Sequence, residues 1–178
     1  MLRPLLIVSF LYLFSLSLLI PVFPTLIAES LPEGTDPDGP EATARYGHLQ
    51  LLKSCLDLLF LPILGGLSDY IGRRFLLRFC LLAALLQIIL LAPPSITAFS
   101  ANQFTTMLFI SRSIGGISAA YTPLLFASLT DLANGDSLAL PVFYGKVGLI
   151  FGAAFTFGPG TASLIFATLG VNAVVMVS

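Results

Sequence analysis

The segment GGLSDYIGRR, residues 65–74, places one carboxylate and two guanidinium groups between two long apolar runs. Its setting is unusual, because 57% of the 178 residues are hydrophobic and only 10% are charged, whereas soluble domains contain roughly 45–50% apolar residues. A charged segment flanked by such sequence is typical of a short loop at a membrane surface. This segment therefore predicts a helical hairpin whose tip lies at the edge of a bilayer.

Six apolar runs follow one another along the chain. The first, residues 4–28, carries no charge and is long enough, at 1.5 Å per residue, to cross a bilayer core of about 30 Å. It exceeds the roughly 7–15 apolar residues of a signal peptide, so we expect it to be retained as a helix. The runs predict an all-α, polytopic transmembrane helical bundle over residues 1–178. Helices are expected at about residues 4–28, 46–66, 75–93, 103–132, 140–165 and 169–178, the last of them truncated.

The charges between the runs predict an orientation in the membrane. The segment between the first two runs is acidic, whereas Arg73 and Arg74 lie between the second and the third. Lys and Arg accumulate on the cytoplasmic side of short loops. We therefore expect an integral, multi-pass protein with a cytoplasmic N-terminus, a cytoplasmic loop at residues 65–74 and the acidic loop on the opposite side.

Other classes of function find no support in the sequence. There is no basic arm or nucleic-acid-binding signature, and Cys55 and Cys80 both lie inside apolar runs. We interpret the two cysteines as small buried hydrophobic residues rather than as a disulfide or a metal site. The sequence therefore predicts no enzyme activity, no metal, no cofactor and no nucleic-acid partner.

The residue types of the 65–74 segment suit a tight, charged hairpin. Small residues such as Gly65 let helix backbones approach closely, and Gly72 permits the backbone angles of a sharp reversal. Asp69 would be costly alone at the membrane edge, but Arg73 and Arg74 are near enough along the chain to pair with it. An ordinary basic hairpin is the alternative interpretation.

The pattern G-x-x-x-D-x-x-G-R-R at residues 65–74 resembles the signature loop between helices two and three of the major facilitator superfamily of secondary transporters. Tyr70 departs from it, since the family usually has Arg or Lys there. Pro21 and Pro24 resemble the proline pair of the drug:proton antiporter branch. The resemblance implies that the loop acts as a conformational latch. The latch residues would be Gly65, Asp69, Gly72, Arg73 and Arg74.

The fourth run contains a second match to the family, in its arginine motif. The matching residues are Leu108, Arg112, Gly116, Ala119 and Ala120. An arginine inside a spanning helix costs about 2.5–3.5 kcal/mol unless it faces a polar cavity or a partner. Arg112 is therefore a candidate for the substrate or proton pathway, and a purely structural arginine is the alternative. Gly116 and Ala120 form a small-xxx-small face, which predicts close helix packing.

The fifth run resembles the family's antiporter motif in part. Gly145, Gly158 and Pro159 fall at its spacing, whereas Ala154 replaces a usual glycine. Proline has no N–H to donate and kinks a helix, and small residues let a neighbouring helix fit against the bend. These residues predict a packing kink, which an ordinary helix could also have.

Two charges lie inside the second run. Lys53 and Asp57 are four residues apart on one helix face and can pair with each other. Asp57 lies 12 residues before Asp69, roughly 18 Å along a helix, which places it near mid-membrane, where a carboxylate can take part in a proton relay. We therefore name Lys53 and Asp57 as candidates for the substrate or proton pathway, and Arg112 as an alternative interhelical partner of Asp57.

The resemblance implies the N-terminal six-helix half of a transporter that moves a small organic solute by alternating access, coupled to a gradient of protons or another ion. Its expected partners are the lipid bilayer, the solute, the coupling ion, and the C-terminal half of the same transporter or a partner chain. One alternative is a truncated isoform or fragment without transport that associates with a full-length membrane partner. Another is a half-size unit that forms a homodimer.

Overall fold

The computed structural model describes residues 2–29, 31, 36, 39–91, 101–136 and 138–169, and the regular elements in these ranges are all α-helices. The helices are α1 (Leu2–Leu19), α2 (Val22–Glu29), α3 (Pro40–Ile71), α4 (Arg73–Leu90), α5 (Ala101–Ser118), α6 (Tyr121–Ala133) and α7 (Ala139–Leu169). Among them, α1, α3 and residues 139–168 of α7 are long and apolar enough to cross a membrane. The predicted all-α fold is confirmed. The sixth predicted helix, residues 169–178, lies outside the described residues except for Leu169, which ends α7.

Two predicted helices are each divided in the structure. The run 4–28 forms α1 and α2, with a turn at Ile20 and Pro21, and the run 103–132 forms α5 and α6, with a turn at Ala119 and Ala120. Proline explains both corrections, because it removes one helical N–H donor and its ring clashes with the carbonyl four residues earlier. Pro21 lies in the first turn, and Pro123 follows closely after the second.

The helices bury two hydrophobic clusters, one toward each end of the bundle. One cluster joins α1 to α4, α6 and α7, and includes Tyr12, Leu76 and Tyr121. The other joins the end of α1 and one face of α2 to α5, and includes Phe23 and Leu108. In this arrangement α1 packs mainly along α7, and α5 packs against both α3 and α4. Helices α1 to α5 therefore surround a common space.

The hairpin between α3 and α4 turns at a single residue, Gly72. Its backbone angles are φ 99° and ψ 131°, and its N–H donates to the carbonyl of Ser68 at 3.1 Å. These angles are open to glycine and strained for residues with a Cβ. The sharp reversal expected from the sequence is therefore present. In contrast, no atom lies within 4 Å of a Cβ added at Gly65 or Gly66, so neither glycine brings two described helices together.

Replacing Gly72 by alanine is expected to destabilise the protein by about 1–3 kcal/mol, because alanine must adopt the strained backbone of the reversal. The matched control is Gly66→Ala, since Gly66 lies in open space inside α3, where alanine gains roughly 0.5–1 kcal/mol over glycine. Unfolding of the purified protein in mixed detergent micelles measures both variants. A Gly72→Ala protein as stable as the Gly66→Ala protein would contradict the strain argument.

Candidate functional site

A cavity of about 230 Å³ lies between α1, α2, α3, α4 and α5. Two positively charged side chains line it, those of Lys53 and Arg112, and none of the described carboxylates does so. Aromatic rings contribute much of the remaining wall, from Tyr12, Phe23 and Tyr46. The cavity is thus positively charged and aromatic, and two of the three residues predicted for the substrate or proton pathway line it.

Arg112 projects from α5 onto an aromatic ring of α2. The Cζ atom of its guanidinium lies 3.4 Å from the centroid of the Phe23 ring, which is a cation–π contact. Its Nε is buried without a hydrogen-bond partner, and no ion pair joins it to another described residue. The break at Pro21 contributes to this contact, because it starts the separate helix that carries Phe23. The guanidinium therefore has an aromatic neighbour but no ion pair among the described residues, and the Asp57 carboxylate attracts it only at longer range.

Asp57 pairs with Lys53 and not with Arg112. The Nζ atom of Lys53 lies 2.6 Å from Oδ2 of Asp57, the pair expected on one helix face, whereas Asp57 acts on Arg112 only at longer range. The second carboxylate oxygen, Oδ1, is buried and has no partner among the described residues. A Cβ added at Gly116 of α5 would lie 3.4 Å from this oxygen and 2.7 Å from Cβ of Leu56. Gly116 therefore lets α5 pack closely on α3 beside the carboxylate.

Two tyrosines stabilise the break between α5 and α6. An interrupted helix leaves carbonyls of its last turn without helical partners, and the Tyr12 hydroxyl of α1 donates to the carbonyl of Ser118 at 3.0 Å. The Tyr121 ring packs against that of Tyr12, tilted by 42° with 4.3 Å between ring centroids, and its hydroxyl lies 2.8 Å from Oγ of Ser9. Ser118 lines the cavity together with Tyr12, so this wall includes the end of α5.

Sequence reasoning missed several cavity residues. Tyr46 and Gln50 precede Lys53 by seven and three residues, which places them on its face of α3, and this polar stripe was a usable signal. Gln87 lies buried inside α4, where an uncharged polar side chain in an apolar run was a weaker one. Tyr12 gave no signal, because the Ser118 carbonyl to which it donates lacks a helical donor only where α5 ends.

The 65–74 loop forms a second hollow of about 250 Å³, with Gly65, Asp69 and Arg73 in its wall. Arg73 donates from Nη2 to Oδ1 of Asp69 at 3.3 Å and from Nε to Oδ2 of Asp131 at 2.9 Å. The first contact is the pair that the sequence predicts, and the second ties the loop to the end of α6. Ala120 lines this hollow whereas Ala119 lines the cavity, so the α5–α6 break separates the two spaces.

The glycines of α7 have different surroundings. At Gly158, an added Cβ would overlap Oγ of Ser17 and lie 2.7 Å from its Cβ, so this glycine lets α1 and α7 pack closely. The Ser17 hydroxyl donates to the carbonyl of Ala154 at 2.9 Å. Pro159 lies inside α7 without ending the helix. Gly145 has no atom within 4 Å of an added Cβ, so it packs against none of the described residues.

Comparison with known proteins matches this chain to one protein family. The model for the Major Facilitator Superfamily matches residues 5–178. Tetracycline resistance protein, class H, of Pasteurella multocida is 32% identical over 150 residues, covering 84% of this chain and 34% of the relative. The class D protein of Salmonella ordonez is 32% identical over 162 residues, covering 89% and 36%. Multidrug resistance protein 1 of Bacillus subtilis (strain 168) is 28% identical over 157 residues, covering 88% and 36%.

The chain spans about a third of the length of these relatives. No solved structure gives a significant match.

Proposed function

Because the chain belongs to the major facilitator superfamily, a family of membrane transporters and not of enzymes, we propose that it forms the N-terminal part of a secondary transporter. In this proposal the complete protein moves a small organic solute by alternating access and couples the movement to a proton gradient. The chain is an integral, multi-pass membrane protein. The observation that carries the proposal is the cavity lined by Arg112, an arginine inside the bundle that forms no ion pair with any described residue.

A charged side chain in a spanning segment is costly, and such residues usually face a bundle interior or a water-filled cavity on a substrate or ion pathway. Arg112 and Lys53 are placed in this way. We assign both to the solute pathway. The relatives named for tetracycline and multidrug resistance support an organic solute of low molecular mass.

Asp57 is our candidate for the proton-carrying group. Oδ2 of Asp57 pairs with Lys53, and Oδ1 is buried without a partner among the described residues. The carboxylate can therefore accept a proton on Oδ1. Protonation would weaken the 2.6 Å contact and free the Lys53 ammonium, which lines the cavity. Proton binding at Asp57 would thereby change the charge that a solute meets.

We further propose that the 65–74 loop acts as the conformational latch. Arg73 joins the loop to α6 through Asp131, and α6 begins at the break that separates the loop hollow from the cavity. Breaking the Arg73 contacts would therefore release α6, which directly follows the part of α5 that lines the cavity. This link supports a role for the loop in switching between conformations.

Proton flux in proteoliposomes tests the proposed function. The complete protein that contains this chain is reconstituted with a trapped pH-sensitive dye, and tetracycline is added first because relatives are named for resistance to it. We expect the solute gradient to drive a proton flux that Asp57→Asn abolishes. Asp36→Asn is the matched control, because Asp36 is exposed outside the bundle. Absence of proton flux with tetracycline and with a panel of organic cations, anions and neutral compounds would refute the coupling.

Labelling of single cysteines tests the proposed orientation, with the N-terminus in the cytoplasm. In the complete protein with Cys55→Ser and Cys80→Ala, one cysteine replaces Asp36 or Leu138, both of which are exposed between helices. An impermeant maleimide applied outside intact cells is expected to label position 36 at once and position 138 only after permeabilisation. The reverse pattern would place the N-terminus outside.

A further inference from the structure

The charges around the cavity do not balance. Lys53 and Arg112 line it, and the nearest carboxylate, Asp57, is engaged by Lys53 at 2.6 Å. A guanidinium has five N–H donors, and the buried Nε–H of Arg112 has no acceptor among the described residues. Asp57 also attracts Arg112 at longer range, but two cations face this one carboxylate, so the described residues leave an excess of one positive charge at the cavity.

A negatively charged group would complete this site. An unpaired charge is costly in a low-dielectric interior, and an opposite charge within hydrogen-bond distance removes much of that cost. The planar guanidinium matches a carboxylate, which can accept two parallel hydrogen bonds from it. Phe23 covers one face of the Arg112 guanidinium at 3.4 Å, which restricts its plane, while the Nε–H at its edge has no partner among the described residues.

The rest of the wall suits a flat, apolar ring system. Tyr12, Phe23 and Tyr46 present aromatic surfaces, and Leu16 and Leu19 add aliphatic ones. The volume of about 230 Å³ is below the roughly 300–1,000 Å³ of pockets for drug-sized ligands. The described part of the site therefore suits a head group of one or two rings rather than a large molecule.

We propose that the cavity recognises its solute as an aromatic organic anion, whose carboxylate or similar acidic group binds Arg112 and whose ring contacts the aromatic wall. This inference rests on the proposed transport function and names the class of its substrate. It assigns Arg112 to solute binding and leaves the proton to Asp57. A neutral or cationic solute of the same shape would leave the arginine unpaired.

Binding of three ligands with the same ring system and different charge to the complete protein in lipid nanodiscs tests the proposal. The probes are 1-naphthoate, its neutral amide 1-naphthamide, and the cation 1-naphthylmethylammonium, measured by calorimetry. We expect 1-naphthoate to bind at least tenfold more tightly than either of the others. Arg112→Gln is expected to abolish this preference and Arg112→Lys to keep part of it. Arg78→Gln is the matched control. It should keep the full preference for 1-naphthoate, because Arg78 is exposed on α4 and does not line the cavity.

Three results would overturn the proposal. They are equal or tighter binding of the amide or the ammonium, an anion preference that survives Arg112→Gln, and failure of the wild-type protein to bind any of the probes. If Arg112→Gln does not fold, the affinities of the three probes for the wild-type protein still show whether the cavity prefers the anion. The proton-flux experiment is a separate readout, so anion preference without solute-driven flux would refute the transport function alone, and flux with cation preference would refute this inference alone.

Discussion

Replacing Arg112 by alanine is expected to abolish transport by the complete protein while leaving its insertion into the membrane intact or improved. Arginine at the centre of a spanning helix costs about 2.5–3.5 kcal/mol on insertion scales, so alanine removes a cost to folding. Truncating one partner of a buried, hydrogen-bonded charge pair typically costs 2–5 kcal/mol in binding, which corresponds to about 30-fold or more in affinity. Function and stability should therefore move in opposite directions.

Uptake by proteoliposomes and unfolding in detergent measure the two effects on the same preparation. Arg78→Ala is the control, because Arg78 is an exposed arginine outside the cavity and its loss should leave uptake unchanged. A purely structural Arg112 predicts a different result, since its removal would lower stability and transport together. Unchanged uptake in the Arg112→Ala protein would remove this residue from the solute pathway.

The extent of the helices could be predicted from the sequence because hydrophobicity is a local property. A long uncharged run needs a bilayer or a core around it wherever it lies in the fold, and the runs at residues 46–66 and 140–165 correspond to α3 and α7. The interruptions were missed because a proline inside a helix does not always end it. Pro62 and Pro159 lie within continuous helices, whereas the chain turns at Pro21 and just before Pro123.

The candidate site could be predicted one residue at a time but not as an arrangement. Arg112 and Asp57 are conspicuous because charge is rare in apolar runs, and the pairing of Asp57 with Lys53 follows from helix geometry alone. Which side chain covers Arg112 depends on how α2 packs against α5, and no local pattern specifies Phe23. The contact between Arg73 and Asp131 is equally remote in sequence, since it needs α4 and α6 side by side.

Replacing Gly158 by alanine is expected to destabilise the bundle by about 1–3 kcal/mol, the usual cost of overpacking a well-packed interior. The new Cβ would overlap Oγ of Ser17 and lie 2.7 Å from its Cβ. The Cβ of Ser17 is fixed to the backbone, so a rotamer change cannot relieve the overlap and α1 must move away from α7. That movement would also displace Tyr12 and Leu16, which line the cavity.

Unfolding of the purified protein in mixed micelles measures this effect, with Gly160→Ala as the matched control. Gly160 is exposed two residues further along α7 and has no atom within 4 Å of an added Cβ, so alanine there should gain up to about 1 kcal/mol from helix propensity. Combining Gly158→Ala with Ser17→Gly removes the colliding atoms, and the double-mutant cycle should give a coupling of about 0.5–3 kcal/mol. Equal stability of the Gly158→Ala and Gly160→Ala proteins would mean that α1 and α7 do not pack closely at Gly158. It would also contradict the position of α1 in the cavity wall.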